Sequence, residues 1–295
     1  MVMINKENPI GLFDSGIGGL SVLKQFIKFL PNENYIYLGD TARVPYGNKS
    51  VATVRRYASE CTNFLLSKEV KLIVVACNTV SSVAIDEVSR KSDVPVIGMI
   101  FPAAIAAVRS TRNGKIGVIG TRATIESNAY ANAILSITEN SNPENDFTLN
   151  SSESKELNEK NITVYNKACP LFVPLVEEGL MNHPATKLIA QEYLDTLKSE
   201  NIDTLVLGCT HYPLLAQLIS ELMPNVNLID SGEHSAVAAI RLLGERNLLN
   251  PNSETFIKNP SVKFYVTDIP STFNDIANMF LNFDIAEPEI INFGN

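Results

Sequence analysis

The 295-residue sequence holds only four cysteines, at positions 61, 77, 169 and 209, and no two of them form a CxxC pair. That spacing fits neither a zinc site nor the disulfide framework of a small secreted domain, whereas free thiols fit a reducing cytoplasm. There is no run of Lys and Arg, and 24 basic against 32 acidic residues leave a formal charge of −8, so nucleic acid is not an expected partner. The longest apolar runs break within about ten residues, where a membrane span needs roughly twenty. The opening residues 1–9 have neither the length nor the apolar core of a signal peptide, and a cytoplasmic chain is expected. What remains is a globular composition, 45% hydrophobic and 19% charged, in a chain longer than one typical core supports.

Two matching stretches organise that chain. Lys71-Leu-Ile-Val-Val-Ala-Cys77-Asn78-Thr79 is repeated in form by Asp203-Thr-Leu-Val-Leu-Gly-Cys209-Thr210-His211, and the cysteines lie 132 residues apart (209 − 77). Each is a short aliphatic run suited to a buried parallel strand, ending in a small residue, a thiol and polar groups. Ligands of open α/β sheets bind beyond the carboxyl ends of strands, so both thiols stand where chemistry is expected. A single cysteine at a strand end could be packing alone, but a matched pair beside hydrogen-bonding groups argues for a shared task.

Residues 9–13 read as a first strand, and Asp14-Ser-Gly-Ile-Gly-Gly19 as a turn opening onto a helix over 20–30. Such a loop offers backbone N–H groups to an anion. Gly16 and Gly18 fit GxG, but Ser21 takes the third glycine position, so this is not a dinucleotide fingerprint. Asp14 would repel an anion unless it bonds an ammonium group or moves a proton; its alternative role is a helix cap. A second strand over 34–40 leads into an irregular loop, 41–48, whose Arg43 and Tyr46 suit ligand contact. Cys61 falls on the apolar face of a helix over 50–67, and further helices are expected over 81–91 and 102–109 around a strand at 94–100.

At 116 the pattern restarts. Ile10-Gly-Leu-Phe-Asp-Ser15 lines up with Ile116-Gly-Val-Ile-Gly-Thr121, which implies two similar halves. Ser15 to Cys77 is 62 residues and Thr121 to Cys209 is 88, a difference of 26 that residues 138–163, rich in Asn, Ser and Glu, would supply as a solvated excursion. Beyond it, Cys169 precedes Pro170 with no base beside it and reads as structural. Glu177 and Glu178 precede Gly179, where one carboxylate could turn inward. Helices and strands alternate to the C-terminus, with helices over 184–199, 213–223, 234–246 and 270–283, so the fold class is α/β with mainly parallel sheets.

Two thiols facing one cleft could form a redox disulfide, a nucleophile with a spare, or an acid/base pair. A redox pair would sit close in sequence or beside a resolving partner, and a single nucleophile needs no mirror image. Inversion of a stereocentre does need two opposed groups, one removing a proton from one face and one delivering a proton to the other.

Asp14-Ser-Gly-Ile-Gly-Gly, Pro45-Tyr-Gly, Ala76-Cys-Asn-Thr, Ile119-Gly-Thr, Ala168-Cys-Pro, Val176-Glu-Glu-Gly and Gly208-Cys-Thr-His-Tyr-Pro, taken in order, resemble the cofactor-independent glutamate racemases of the aspartate/glutamate racemase family. The resemblance runs through most of the chain and lapses mainly in the polar insertion. It implies two pseudo-symmetric α/β lobes with the active site between them, the first built from 1–100 plus 216–295 and the second from 101–215. It implies interconversion of L- and D-glutamate to supply D-glutamate for the bacterial cell wall, without a cofactor and often as a homodimer. By the same resemblance Cys77 acts on the proton of the D form and Cys209 on that of the L form. Asp14 and His211 would assist the nearer thiol, and Glu178 would orient His211. Asp14, Ser15, Tyr46, Gly47, Asn78, Thr79, Thr121, Thr210 and His211 would hold the substrate. The roles suit the residue types: a free thiol titrates near 8.5, and a neighbouring His can help it act as a base. Carbanions of this kind are usually stabilised by pyridoxal, but no lysine lies in any of these motifs. A related aspartate or other amino acid racemase, a small-molecule sensor and a redox protein are the competing readings.

Overall fold

The computed structural model describes residues 4–138, 161–250, 260–269, 273–281, 285 and 287–293. The chain begins β1 (Ile10–Asp14), α1 (Leu20–Phe29), β2 (Tyr35–Gly39), α2 (Val51–Ser67), β3 (Leu72–Val75), α3 (Asn78–Val83), α4 (Ile85–Lys91) and β4 (Val96–Gly98). It continues through α5 (Ile100–Ser110), β5 (Lys115–Gly120), α6 (Arg122–Glu126), α7 (Ala129–Thr138), β6 (Thr163–Ala168), α8 (Phe172–Glu177), α9 (Pro184–Ser199) and β7 (Thr204–Gly208). It ends with α10 (Ala216–Leu222), β8 (Asn227–Asp230), α11 (Ser231–Glu245), β9 (Val262–Val266), α12 (Phe273–Leu281) and β10 (Glu289–Ile290).

Two sheets result, ordered β10-β9-β2-β1-β3-β4 and β6-β5-β7-β8, and every ladder among the described residues is parallel. Four strands of the first, β2-β1-β3-β4, match the whole of the second in order. The register matches too: Gly11 lies opposite Ile36 and Ile73, and Gly117 opposite Tyr165 and Leu205, so the strand carrying each cysteine is in equivalent alignment. Helices cover the sheets, which is why β1 and β7 are buried at every position and mainly apolar. A Cβ on Gly11 would stand 2.8 Å from Val70 Cγ1 and one on Gly117 2.5 Å from Ile202 Cδ1. Both glycines let the segment entering the cysteine strand close over its neighbour.

One core runs through both lobes. Leu20, Leu23 and Phe26 of α1 belong to the same apolar cluster as Ala236, Ala239 and Leu243 of α11, Phe273 and Phe280 of α12, and Leu205 and Leu207 of β7. The chain crosses between the sheets at α5 and again at α11. The return to the first lobe comes later than the expected residue 216, because Asn227–Asp230 pairs with β7 as a fourth parallel strand of the second sheet. The α3 helix also begins earlier than expected, at Asn78 rather than 81, since Cys77 is extended (φ −73°, ψ 120°) and serves as its N-cap. The segment after β7 starts as a 3-10 turn, Tyr212–Leu215, before α10. Most of the expected polar excursion, 139–160, lies outside the described residues.

Lys71, the residue that opens the cysteine-bearing strand, is buried. Its Nζ lies 2.5 Å from Glu33 Oε2, with side-chain exposures of 0% and 2%, and donates to the carbonyl of Leu248 at 2.9 Å. Glu33 also accepts from the backbone N–H and side-chain amide of Asn250, at 3.0 and 3.2 Å. This ion pair ties β3 to the segment that follows α11. Removing one partner strands the other charge in the core, so Lys71→Met is expected to cost roughly 3–5 kcal/mol of stability in urea unfolding. The double variant Lys71→Met/Glu33→Gln, which removes both charges and keeps an acceptor for Asn250, is expected to recover most of that loss.

Candidate active site

The two repeats place Asp14 at the end of β1, Cys77 just past β3, Thr121 just past β5 and Cys209 just past β7. Hydrogen bonds across the lobes bring these strand ends together. Thr79 Oγ1 lies 3.0 Å from Thr121 Oγ1, and Ser21 Oγ donates to the carbonyl of Thr210 at 2.6 Å. The glycine turn after β1 reaches the second lobe closely enough that a Cβ on Gly18 would stand 2.3 Å from His211 Cε1 and 2.4 Å from Thr210 Oγ1. A Cβ on Gly47 would stand 3.3 Å from Thr121 Cβ. The site is therefore shared by both lobes and neither lobe forms it alone.

On the first-lobe side, the Cys77 thiol is 5% exposed and donates to Ser15 Oγ at 3.4 Å. Burial, and then the charge of Asp14, push its pKa up to about 12, partly offset by the Ser15 contact. The charge of Cys209 adds a smaller push in the same direction. Asp14 is 1% exposed; its Oδ2 accepts from the N–H of Gly16 at 2.9 Å, while its Oδ1 is buried without a hydrogen-bond partner. Burial raises the Asp14 pKa, opposed by the charge of His211 and by the N–H groups of the turn.

On the other side, Cys209 Sγ lies 3.9 Å from His211 Nδ1, which is also 3.4 Å from Thr210 Oγ1. His211 Nε2 lies 2.9 Å from Glu177 Oε1, and its ring packs edge-on against Phe280 with centroids 5.5 Å apart. Burial by itself would lower the His211 pKa, but the contacts to Cys209 and Glu177 outweigh it and hold the imidazole up at about 10. The carboxylate against His211 is thus Glu177 and not the expected Glu178, which is the exposed C-cap of α8. Helical phase gives the reason: Glu177 stands four residues after Val173, which packs on the core, and so shares its face.

The remaining expected residues divide by what their side chains already do. Ser15, Thr79, Thr121 and Thr210 bring hydroxyls to the junction of the lobes. Asn78 is 2% exposed and bonded to Tyr130 and Ser231. The Tyr46 hydroxyl is spent on buried Asp40, so what Tyr46 and Gly47 can offer a ligand is backbone. Asp40 also accepts from Arg43 Nε at 2.7 Å and Thr267 Oγ1 at 2.9 Å, and it pins the 41–48 loop. Arg43 is held there, with its guanidinium 3.9 Å from the ring centroid of Tyr57, rather than presented to the cleft. Cys61 and Cys169 are both fully buried in apolar clusters. Sequence reasoning missed Asp40, Ser21, Tyr130, Ser231 and Phe280; only the Gly-Asp step ending β2 hinted at one of them. Among the described residues no group of three or more His, Cys, Asp or Glu side chains is arranged to hold a metal.

Two parallel α/β lobes, each with a buried cysteine just past an equivalent strand and with those strand ends in contact across the lobes, define the class of this protein. The chain belongs to the family described as Asp/Glu/Hydantoin racemase, which matches residues 18–239. It is 46% identical over 290 residues to the glutamate racemase of Chlorobaculum tepidum, covering 98% of this chain and 97% of that protein. It is 43% identical over 295 residues to that of Neisseria meningitidis, covering 100% of both. The crystal structure of glutamate racemase from Francisella tularensis in complex with D-glutamate is similar with a TM-score of 0.83 at 41% identity, over 97% of this chain and 98% of that one.

The His211 assignment has a direct readout. A folded-state pKa above the ordinary 6.5 means that the folded protein binds this proton more tightly than the unfolded chain does. The associated stabilisation is then whole below pH 6.5 and is lost as the pH climbs to about 10. In a proton NMR titration the His211 ring signals are expected to move near pH 10. Glu177→Gln should lower that midpoint by about a unit or more, and Glu178→Gln should leave it in place.

Proposed function

We propose that the chain interconverts L- and D-glutamate by a two-thiol acid/base mechanism, supplying D-glutamate for peptidoglycan. The observation that carries this reading is the pair Cys77 and Cys209, buried at equivalent strand ends of the two lobes, with contacts between the lobes made by the residues beside them. The relatives named above, matched along nearly the whole chain, support glutamate as the substrate.

The resting protonation state favours one direction. Cys77, with its pKa pushed up to about 12, waits as a thiol and can deliver a proton. On the opposite side, a Cys209 thiolate paired with the protonated His211 removes the α-proton of L-glutamate. The α-carbon is deprotonated on the Cys209 face and reprotonated on the Cys77 face, so the S–H bond of Cys77 breaks as that of Cys209 forms. Exchange with solvent through Asp14 and His211 resets the pair. In the reverse direction Cys77 must first lose its proton, and Asp14, made more basic by burial, is the acceptor we assign to it. Asp14 Oδ1, buried without a partner, suits the substrate ammonium group. The hydroxyls of Ser15, Thr79, Thr121 and Thr210 suit its carboxylates, where neutral donors in a water-poor site stabilise the charge that builds as the proton leaves. Both proton-transfer groups come from the chain, and this route calls for no pyridoxal.

No described helix is long and apolar enough to cross a membrane. We read the enzyme as cytoplasmic, in keeping with four buried free cysteines, and as a homodimer, an inference from the family resemblance that sedimentation would check.

Purified protein given L-glutamate and no pyridoxal phosphate should bring its circular dichroism signal to zero; a retained signal would rule the activity out. Cys77→Ser and Cys209→Ser should each lower turnover in both directions by about 10²–10⁴-fold. Asp14→Asn should lower turnover while raising the thermal midpoint, because a carboxylate whose pKa is raised by burial costs stability at neutral pH.

A further inference from the structure

Tyr130 reaches a chain neighbour of each thiol, Asn78 after Cys77 and Gly208 before Cys209. It sits on α7 of the second lobe and is 2% exposed. Its ring lies over the residue that precedes Cys209: a Cβ on Gly208 would stand 3.0 Å from Tyr130 Cε2. Its hydroxyl reaches the residue that follows Cys77, donating to Asn78 Oδ1 at 2.6 Å. The Asn78 amide nitrogen in turn donates to Ser231 Oγ at 3.3 Å, and Ser231 Oγ lies 3.4 Å from the carbonyl of Leu207 on the Cys209 strand. Asn78 and Ser231 are each 2% exposed, so water does not compete for these bonds.

The chemistry of the trio fixes the amide in one orientation. A separation of 2.6 Å is the length of an O–H···O bond, and the longer contact to Ser231 fits the nitrogen. With its carbonyl oxygen taken by Tyr130 and its nitrogen held by Ser231, the amide of Asn78, the first residue of α3, is anchored at both ends. Cys77 is the N-cap of that turn. The three side chains come from α3 in the first lobe, α7 in the second, and the first residue of α11, where the chain leaves the second sheet. They form a closed brace from Asn78 through Tyr130 to Gly208, and back from Ser231 to Leu207.

We propose that Tyr130, with Ser231, is a positioning residue that sets the distance between the two sulfurs by bracing Asn78 against the Cys209 strand. This rests on the racemase reading given above. Misplacing a reacting group by about 1 Å can cost 10²-fold in rate, and an error in sulfur separation enters both directions of the reaction alike. It acts on proton transfer more than on ligand capture.

The test is steady-state kinetics in both directions on the full-length protein, with glutamate carrying hydrogen or deuterium at the α-carbon. Tyr130→Phe keeps the ring over Gly208 and loses only the hydroxyl. It is expected to lower kcat about 10- to 100-fold in both directions, with KM changed by less than about threefold and a larger deuterium isotope effect on kcat. Ser231→Ala should do the same more weakly, and Ser231→Thr, which keeps the hydroxyl, should retain more activity than Ser231→Ala. Wild-type kcat in Tyr130→Phe overturns the proposal. So does a loss that merely follows the fraction of folded protein with the isotope effect unmoved. If Tyr130→Phe does not fold, the comparison of Ser231→Ala with Ser231→Thr decides, and equal kcat and isotope effects in those two overturn the proposal. A wild-type protein that leaves L-glutamate unchanged would instead sink the racemase reading itself.

Discussion

Two thiols can act on one carbon only if the sheets that carry them are held with their strand ends opposed. The apolar contact of α1 with α11 imposes that condition. Helix α1 follows the strand that ends in Asp14, and α11 follows the last strand of the second sheet; their Leu, Phe and Ala faces share one core with β7. Because that core is continuous, the lobes are not free to choose their separation. The polar contacts at the cleft, Thr79 with Thr121 and Ser21 with the Thr210 carbonyl, add direction to an approach that burial has already driven.

Burial then does the electrostatic work. A buried thiol resists ionising, and Asp14 beside Cys77 strengthens that resistance, so the first-lobe sulfur rests protonated. A buried imidazole would ordinarily shed its proton, yet Glu177 and Cys209 hold it on His211. The same desolvation thus acts on two nearly symmetric halves with opposite results, because the halves differ in the charge set beside each sulfur: a carboxylate on one side and a histidine paired to a carboxylate on the other. Pseudo-symmetry of the backbone sets the two sulfurs at equivalent strand ends, and the broken symmetry of their neighbours gives each a different charge beside it.

The fold was legible where a local pattern carried it. Strand ends at Cys77 and Cys209, the equivalence of Gly11 with Gly117, and the alternation of strands with helices follow from hydrophobic runs and small residues that act within a few positions. The boundary of the second lobe was not legible. Residues 227–230 form a short, partly exposed strand whose pairing with β7 depends on where β7 already lies. The site divided in the same way. Motif residues at strand ends are gathered by the topology, whereas the choice of Glu177 over Glu178 turned on the phase of a six-residue helix, too short for a clear period. The role of Tyr46 changed for a related reason: its hydroxyl faces a buried Asp40 that no motif had marked.

What the sequence by itself determined is the chemistry available: two thiols at like strand ends, an aspartate in a glycine turn, a histidine two residues from the second cysteine, and hydroxyls around them. Those are properties of residue type and spacing along the chain, and they survive without coordinates. Only the tertiary structure decided which groups meet across the lobes, which carboxylate pairs with His211, and which side chains are already committed elsewhere. Contacts between residues tens to hundreds of positions apart are fixed by the packing of one shared core, and no local pattern encodes that packing.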